Sequence, residues 1–163
     1  LDCGHVKIAG IFKADDGHGH QRYAGYVDAL MEADIKVKGK QVVWIDSDEV
    51  AEMREDCGRI LKRIQGCTAC VCYNDEVANK LAGICMDQGI RIPEDLSIVG
   101  IDNSDLARFC EIPFTSAVNP VQKLGEIAAE MMIEKLRGTG ELETVELMPE
   151  LVIRNSVKVI TQI

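Results

Sequence analysis

The stretch Arg91-Ile92-Pro93-Glu94-Asp95-Leu96-Ser97-Ile98-Val99-Gly100-Ile101-Asp102-Asn103 decides the fold of this chain. Pro93 cannot continue a helix, and it disfavours helical geometry at the residue before it. The run from Leu96 to Ile101 is short and mainly apolar, which is typical of a strand covered by helices on both faces. Asp102 closes this run. A carboxylate therefore lies at the carboxyl end of a buried strand, the edge where open α/β sheets bind ligands.

Similar strands recur along the first part of the chain, each followed by an amphipathic helix. The predicted strands cover 6–12, 42–45, 69–73 and 96–101, and the predicted helices cover 21–33, 47–64 and 74–88. Ser47 or Asp48 can cap the second helix, and Gly66 suits the position just after it. This alternation predicts an α/β fold with a parallel sheet, right-handed crossovers and helices on both faces.

The pattern changes after Asp102. Residues 103–113 predict an irregular segment and residues 114–118 a short strand. Asn119 suits the N-cap and Pro120 the first position of a helix that runs to about Arg137. The helix is broken by 138–140, and two further strands are predicted at 145–148 and 151–154.

Composition narrows the class of protein. The chain has 163 residues, and 47% of them are apolar, which is enough for one ordinary core. It carries 27 acidic and 18 basic side chains, so we do not expect this chain itself to hold DNA or an anionic membrane. Seven cysteines, several within apolar runs, favour reduced thiols and a cytoplasmic location. The start at Leu1 predicts a cut inside a longer protein.

Polar side chains follow two of the predicted strands. Asn74 and Asp75 lie where the third strand meets a helix, and Asp102 ends the fourth strand. Carboxylate and amide groups supply the acceptors and donors that a neutral polyol needs. Helix capping alone explains Asn74 equally well. Arg22, at the start of the first helix, is either a solvated side chain or part of this site.

Other chemistries have weaker support. Asp15 and Asp16 form an acidic pair of the kind that receiver domains use, but a matching lysine after a late strand is not evident. The loop from Asp16 to His20 lacks a further fixed metal ligand. Cys67 and Cys70 have the spacing of a metal or redox motif without a second copy. We expect no metal, no cofactor and no enzymatic activity, because no nucleophile has an adjacent base.

Taken together, several motifs resemble the effector-binding module of the lactose-repressor/galactose-repressor family, and most closely its arabinose-responsive branch. The resemblance covers nearly the whole chain in order. It is carried by Arg22-x-x-Gly25, by Ala69-Cys70-Val71-Cys72-Tyr73-Asn74-Asp75-Glu76-Val77-Ala78, by 92–102, by Phe114-Thr115-Ser116-Ala117-Val118-Asn119-Pro120, and by Leu124-Gly125-Glu126-x-Ala128. The stretch from Ile8 to Asp16 points to the arabinose branch.

The resemblance implies a type I periplasmic-binding-protein-like fold, in which two α/β subdomains joined by three crossovers bind a sugar between them. Residues 1–118 correspond to the carboxyl-terminal subdomain. Residues 119–149 correspond to a crossover helix and strand of the amino-terminal subdomain, and residues 150–163 to a return strand and tail. We therefore expect half a sugar site, and a helix at 120–137 whose apolar stripe has lost its partner and seeks another surface, such as a second copy.

The resemblance also implies roles for individual residues. Arg22, Asn74 and Asp102 match positions that bind sugar hydroxyls, and Asn119 matches a crossover position that faces the cleft. Asp16 and His18 fall on a loop that can reach the sugar.

The implied function is a sugar-responsive transcriptional repressor, with L-arabinose suggested as the effector and operator DNA bound by a domain absent from this chain. In the family, dimers form through segments that correspond here to 76–88 and 106–112, with Ala78, Leu81, Cys85 and Cys110 as candidate contacts. A sugar-binding protein of a transport system, with the same fold, is the alternative.

Overall fold

The computed structural model describes residues 1–138 and 143–160, and these form a six-stranded sheet. The strands are β1 (Ile8–Lys13), β2 (Val42–Ile45), β3 (Ala69–Cys72), β4 (Ser97–Asp102), β5 (Thr115–Val118) and β6 (Leu151–Val152). Their order across the sheet is β2-β1-β3-β4-β5-β6. The first five are parallel to their neighbours, and β6 runs antiparallel to β5. The predicted fold class is confirmed.

The helices cover both faces of the sheet. They are α1 (Gly17–Glu32), α2 (Cys57–Ile64), α3 (Asp75–Asp87), α4 (Asp105–Phe109) and α5 (Val121–Arg137). Apolar residues of α2 and α3 form one core with the sheet, and apolar residues of α1 form a second core on the opposite face.

Strand β1 shows why both faces need a cover. Successive side chains of a strand point to opposite sides. Ala9 and Ile11 belong to the core with α2 and α3, whereas Ile8 and Phe12 belong to the core with α1. The run is therefore apolar without alternation, as expected for a strand buried on both sides.

Two predicted helix starts differ from the structure. Helix α1 begins at Gly17 and not near Gln21, because the Asp16 carboxylate accepts a hydrogen bond from the His18 N–H at 2.7 Å and caps the helix. Neither Ser47 nor its neighbour caps α2. The Ser47 N–H donates to Asp15 at 2.9 Å, and a 3₁₀ turn, Asp48–Val50, precedes the later start at Cys57.

The expected N-cap at Asn119 is also wrong by one residue. Pro120 takes the cap position, and Val121 is the first helical residue. The side chain of Asn119 lies beside Asp102 and opposes the rise in the pKa of that carboxyl group.

After β4, the structure contains one helix that was not predicted and lacks one strand that was. Residues 103–113 contain the short helix α4. The strand predicted at 145–148 does not form, because no strand in the described part of the chain lies beside it to share backbone hydrogen bonds. Gly138 ends α5 with a φ of 69°, the left-handed geometry that glycine tolerates. Thr139 and Gly140 lie outside the described residues.

Helix α5 packs little against the other described residues, as expected, although residues 143–145 border a cavity together with its apolar face. None of its residues is buried. Its largest exposed apolar side chains are Val121, Leu124, Met132, Ile133 and Leu136. Neither α5 nor any other helix in the described ranges is long and apolar enough to cross a membrane.

Three of the four expected homodimer contacts are wrong. Ala78, Leu81 and Cys85 are fully buried between α3 and the sheet, so they cannot reach another chain. Cys110 is partly exposed and lines a surface cavity together with Met86. The face of α3 that is exposed to solvent is therefore the one opposite its apolar stripe.

Candidate functional site

Arg22 joins the carboxyl ends of two neighbouring strands. From α1, its Nη1 donates to the carbonyl oxygen of Tyr73, just past β3, at 2.5 Å. Its Nη2 donates to Asp102 Oδ1, at the end of β4, at 3.2 Å. The two charged side chains are 22% and 33% exposed. The pair thus lies on an open rim at the edge where parallel sheets bind ligands.

Two cationic side chains and one carboxylate contact the side chain of Tyr73. The Arg22 Cζ lies 4.4 Å from the centroid of its ring, and Lys13 Nζ lies 5.1 Å from it, both within the range of cation–π attraction. Its hydroxyl donates to the carboxylate of Asp16. This hydrogen bond holds the pKa of Asp16 below its usual value, and burial together with the same bond raises the pKa of Tyr73 to about 12.

Asp102 is the partly buried acid of this rim. Burial raises its pKa above the usual value, and the opposing effects come from the Arg22 charge and from hydrogen bonds donated by Arg22 and Asn119. Asn119 thus brings the entry to α5 into contact with the end of β4. Three of the residues that the resemblance selected, Arg22, Asp102 and Asn119, lie together.

The turn after β4 is held in an unusual backbone conformation. Asp102 and Asn103 have φ values of 103° and 50°, which cost non-glycine residues of order 1–3 kcal/mol each. Arg154 fixes Asn103 by donating to its Oδ1 at 2.5 Å, and Ser116 Oγ accepts the Asn103 N–H at 3.0 Å. The surrounding contacts therefore determine where the Asp102 carboxylate points.

The buried carboxylate of Asp75 also holds this turn in place. It is 1% exposed, and its carboxylate accepts hydrogen bonds from Ser116 Oγ at 2.6 Å and from the N–H and Oγ of Ser104 at 2.7 and 2.9 Å. Gly100 leaves room for it, because a Cβ there would lie 2.1 Å from Asp75 Oδ1. Asp75 thus ties α3, β5 and the residue after the turn into one network.

Asn74 acts as a helix cap in this structure. Its Oδ1 accepts the Val77 N–H at 3.0 Å and caps α3. Its Nδ2 makes no hydrogen bond within residues 1–138 and 143–160, so this donor is available to a ligand. Capping and ligand binding are compatible, because they use different atoms of one amide.

The loop before α1 contributes unevenly. Asp16 reaches the site through Tyr73, whereas the exposed ring of His18 makes no hydrogen bond to a described residue, and only its backbone N–H donates, to Asp16. His20 bonds to the Ala14 carbonyl at 3.2 Å and lies against Trp44. Within the described ranges, no group of three or more His, Cys, Asp or Glu side chains is placed to hold a metal ion.

Sequence reasoning did not select Tyr73 or Lys13 as functional, and it named Asp75 only together with Asn74 at the end of a strand. Tyr73 and Lys13 end or follow buried strands at the same edge as Asp102, which was the available signal. The role of Asp75 had no local signal, because its partners Ser104 and Ser116 are distant in the sequence.

Comparison with known proteins assigns the chain to a family. Residues 1–157 match the family described as the periplasmic binding protein-like domain. The chain belongs to this family. The arabinose metabolism transcriptional repressor of Geobacillus stearothermophilus is 36% identical to it over 167 residues, which cover 97% of this chain and 45% of the repressor.

Two further similar proteins are also named as transcriptional regulators. The HTH-type transcriptional repressor PurR of Photobacterium profundum is 34% identical over 165 residues, covering 97% of this chain and 48% of that protein. A solved structure of the transcriptional regulator CelR in complex with cellobiose superposes with a TM-score of 0.83 at 28% identity, covering 95% of this chain and 48% of that one. The family resemblance read from the motifs is confirmed. The chain spans about half the length of these relatives.

Proposed function

We propose that this chain is the carboxyl-terminal half of the effector-binding domain of a bacterial transcriptional repressor. Residues 1–118 form that half, 119–149 cross towards an amino-terminal subdomain, and 150–163 return. A sugar binds between the two subdomains and lowers the affinity of a separate DNA-binding domain for its operator. The protein works in the cytoplasm, and this acidic chain does not itself contact DNA.

The contact between Arg22 and Asp102 carries the proposal. It fixes a donor and an acceptor at the tips of adjacent strands, with Tyr73 and Asn119 beside them. A sugar ring offers neighbouring hydroxyls, each of which both donates and accepts, and it has a weakly polar face that can lie against an aromatic ring. Asn74 and Asp16 extend the set of polar groups along the rim. His18 lies nearby as a further candidate.

The crossover at Asn119 supplies a route for regulation. Asn119 lies beside Asp102 and precedes Pro120, the N-cap of α5, the helix proposed to belong to the other subdomain. A sugar that binds Asp102 therefore also acts on the connection between the two halves. If sugar and operator DNA each weaken the binding of the other equally, the coupling is allosteric in the thermodynamic sense.

The proposed sugar is L-arabinose, and its support is the named relative at 36% identity. PurR aligns at 34% identity, so overall similarity alone does not select the effector. Calorimetric titration of the full-length protein with a panel of pentoses and hexoses tests the choice. We expect one arabinose site per chain, and preferential binding of another sugar would replace arabinose in this proposal.

Two substitutions test the site. Asp102→Ala and Asn74→Ala in the full-length protein remove an acceptor and a donor from the rim. Both are expected to abolish the effect of sugar on operator binding while operator affinity without sugar is unchanged. Asp28→Ala, at an exposed aspartate of α1, is the matched control. Normal sugar response in both rim variants would contradict the assignment.

The proposal includes a homodimer, and the structure limits which surface it can use. Apolar side chains exposed beside the solvent face of α3 are Met86, Leu106 and Phe109, with Phe109 82% exposed. Met86 and Cys110 border a cavity of about 340 Å³ between α3 and the loop that follows α4. These residues replace the three buried ones as the candidate contacts.

A further inference from the structure

A second cleft lies at the opposite edge of the sheet from the proposed sugar site. It has a volume of about 870 Å³. One wall is the exposed face of α2, and the other is formed by Lys7, just before β1, and by the turn at Lys38 to Gln41 that leads into β2. We name it the α2 cleft. It shares no residue with the rim around Arg22 and Asp102.

The α2 cleft concentrates positive charge in an acidic protein. The chain has 27 acidic and 18 basic side chains, yet among the residues that the structure describes no carboxylate lines this cleft. Holding like charges together is unfavourable unless an anion lies between them. The cationic residues that line it are Lys7, Lys38, Lys40, Arg59, Lys62 and Arg63.

Most of these charges have no internal partner. Arg59 is paired with Glu49 and Asp56, and Arg63 donates to the Gly39 carbonyl at 3.3 Å. The four lysines of the cleft make no ion pair with any carboxylate in residues 1–138 and 143–160. Their positive charge is therefore available to a ligand.

The end of α2 accounts for only part of this charge. Lys62 and Arg63 lie in its last turn, where cations favourably oppose the helix dipole. Lys7, Lys38 and Lys40 belong to the facing wall, where the short 3₁₀ turn Gly39–Gln41 contains Lys40 and no α-helix of the described residues ends. The charge on the two walls converges on the space between them.

The floor of the cleft exposes backbone. A Cβ at Gly58 or at Gly66 would meet no atom within 4 Å, so space lies open above both residues. Gly66 has a φ of 77°, a conformation that favours glycine. Gln65 adds a side-chain amide beside this open backbone.

We propose that the α2 cleft binds a linear oligophosphate, such as inorganic tripolyphosphate or the phosphate chain of a nucleoside triphosphate. Four lysines without an ion pair to any described residue line one concave site of small-molecule size, and Lys36 extends the positive charge into a smaller adjoining cavity of about 160 Å³. Another adjoining cavity shares Lys62, Gln65 and Gly66 but contains Asp95, so an extended phosphate backbone would pass over a carboxylate. A compact polyanion is therefore favoured over nucleic acid.

The first test is titration of the 163-residue chain with inorganic tripolyphosphate, followed by calorimetry and by amide shifts in NMR spectra. We expect one site per chain, an affinity that falls with added salt, and shifts confined to Lys7, 38–41 and 58–66. Adenosine triphosphate is the second ligand. Equal affinity would assign recognition to the phosphate chain alone, and tighter binding would show that the nucleoside contributes.

Charge reversal on each wall tests the location. Lys38→Glu and Lys62→Glu are each expected to weaken tripolyphosphate binding at least about tenfold. Lys135→Glu is the matched control, because Lys135 also occupies the last turn of an exposed helix, outside the cleft. We expect less than about a twofold change there, since only net charge and a helix end are altered.

Three results would overturn the proposal. The first is a failure of wild-type chain to bind tripolyphosphate at one site. The second is equal weakening by all three variants, which would reduce the effect to net charge. The third is tighter binding of a duplex DNA fragment that is also lost in Lys62→Glu. None of these bears on sugar binding at the opposite edge.

Discussion

Gly100→Ala is the sharpest test of how the turn that carries Asp102 is held. A Cβ at this position of β4 would lie 2.1 Å from Asp75 Oδ1, 3.2 Å from its Cγ and 3.3 Å from its Cα. The first distance is impossible, so the Asp75 carboxylate has to leave its place. Its hydrogen bonds to Ser104 and Ser116 are then lost together.

The expected loss of unfolding free energy depends on which polar groups lose their hydrogen-bond partner. Ser116 is fully buried, and its hydroxyl donates to Asp75 at 2.6 Å. Ser104 is partly exposed, so water can replace some of its lost bonds. One buried hydroxyl without an acceptor and one weakened backbone N–H cost about 2–4 kcal/mol of unfolding free energy. Asp75→Ala removes the same bonds and has a similar expected cost.

The double variant separates this mechanism from simple crowding. With Ala at position 75, the closest remaining atom to the new Cβ is the backbone Cα at 3.3 Å, which is tight but tolerable. Gly100→Ala in the Asp75→Ala background is therefore expected to cost less than about 1 kcal/mol. Urea unfolding of the four proteins, followed by circular dichroism, measures the coupling. We expect about 1–3 kcal/mol between the two positions.

A matched glycine gives the control. Gly58 lies in α2 with open space where a Cβ would be, so Gly58→Ala is expected to stabilise the chain by about 0.5–1 kcal/mol through helix propensity. Additivity of the Gly100 and Asp75 substitutions to within about 0.5 kcal/mol would refute the reasoning, because it would mean that the two residues do not share one network.

Three further predictions concern the proposed functions. Arg22→Lys, which cannot bridge Tyr73 and Asp102, is expected to weaken sugar binding about 10- to 100-fold in titrations of the full-length protein, with little change in its unfolding midpoint. Sugar affinity is expected to fall on acidification from a higher pH than an ordinary aspartate would give, since burial raises the pKa of Asp102, and Asp102→Asn should flatten this profile. The same raised pKa means that the folded state holds the proton more tightly than the unfolded one, so acidification does not lower stability through this group. Met86→Glu and Phe109→Glu are each expected to shift the full-length protein from dimer to monomer in sedimentation, whereas retention of the dimer in both would move the interface elsewhere.

The sheet could be predicted because its strands are buried on both faces. Ile8 to Phe12 and Ser97 to Ile101 contain almost no polar residue, and such runs separated by amphipathic helices leave few alternatives. The helix starts were less predictable. Asp16 and Ser47 are both residue types that favour the N-cap. Whether each one caps its helix depended on the hydrogen-bond partner that it has in the folded chain.

The candidate site was also predictable only in part. Arg22 and Asp102 could be placed at a common edge from strand order and family motifs. The Asp75 network could not, because it joins residues 29 and 41 positions apart in the sequence. The buried face of α3 was misread for a related reason. Ala78, Leu81 and Cys85 form an apolar stripe, and periodicity alone does not say whether a stripe faces its own sheet or another chain.

The internal contacts of the rim also restrict the kind of ligand that it can accept. Arg22 and Asp102 already neutralise each other, so an anionic ligand at Arg22 would place a second negative charge beside the partly buried Asp102 carboxylate. A neutral hydroxyl does not impose this cost. Among its contacts with described residues, Arg22 uses two of the five N–H donors of a guanidinium, which leaves donors for a sugar oxygen while the ion pair persists. Adjacent hydroxyls can therefore accept from Arg22 and donate to Asp102 at the same time, which favours neutral sugars over the corresponding sugar acids.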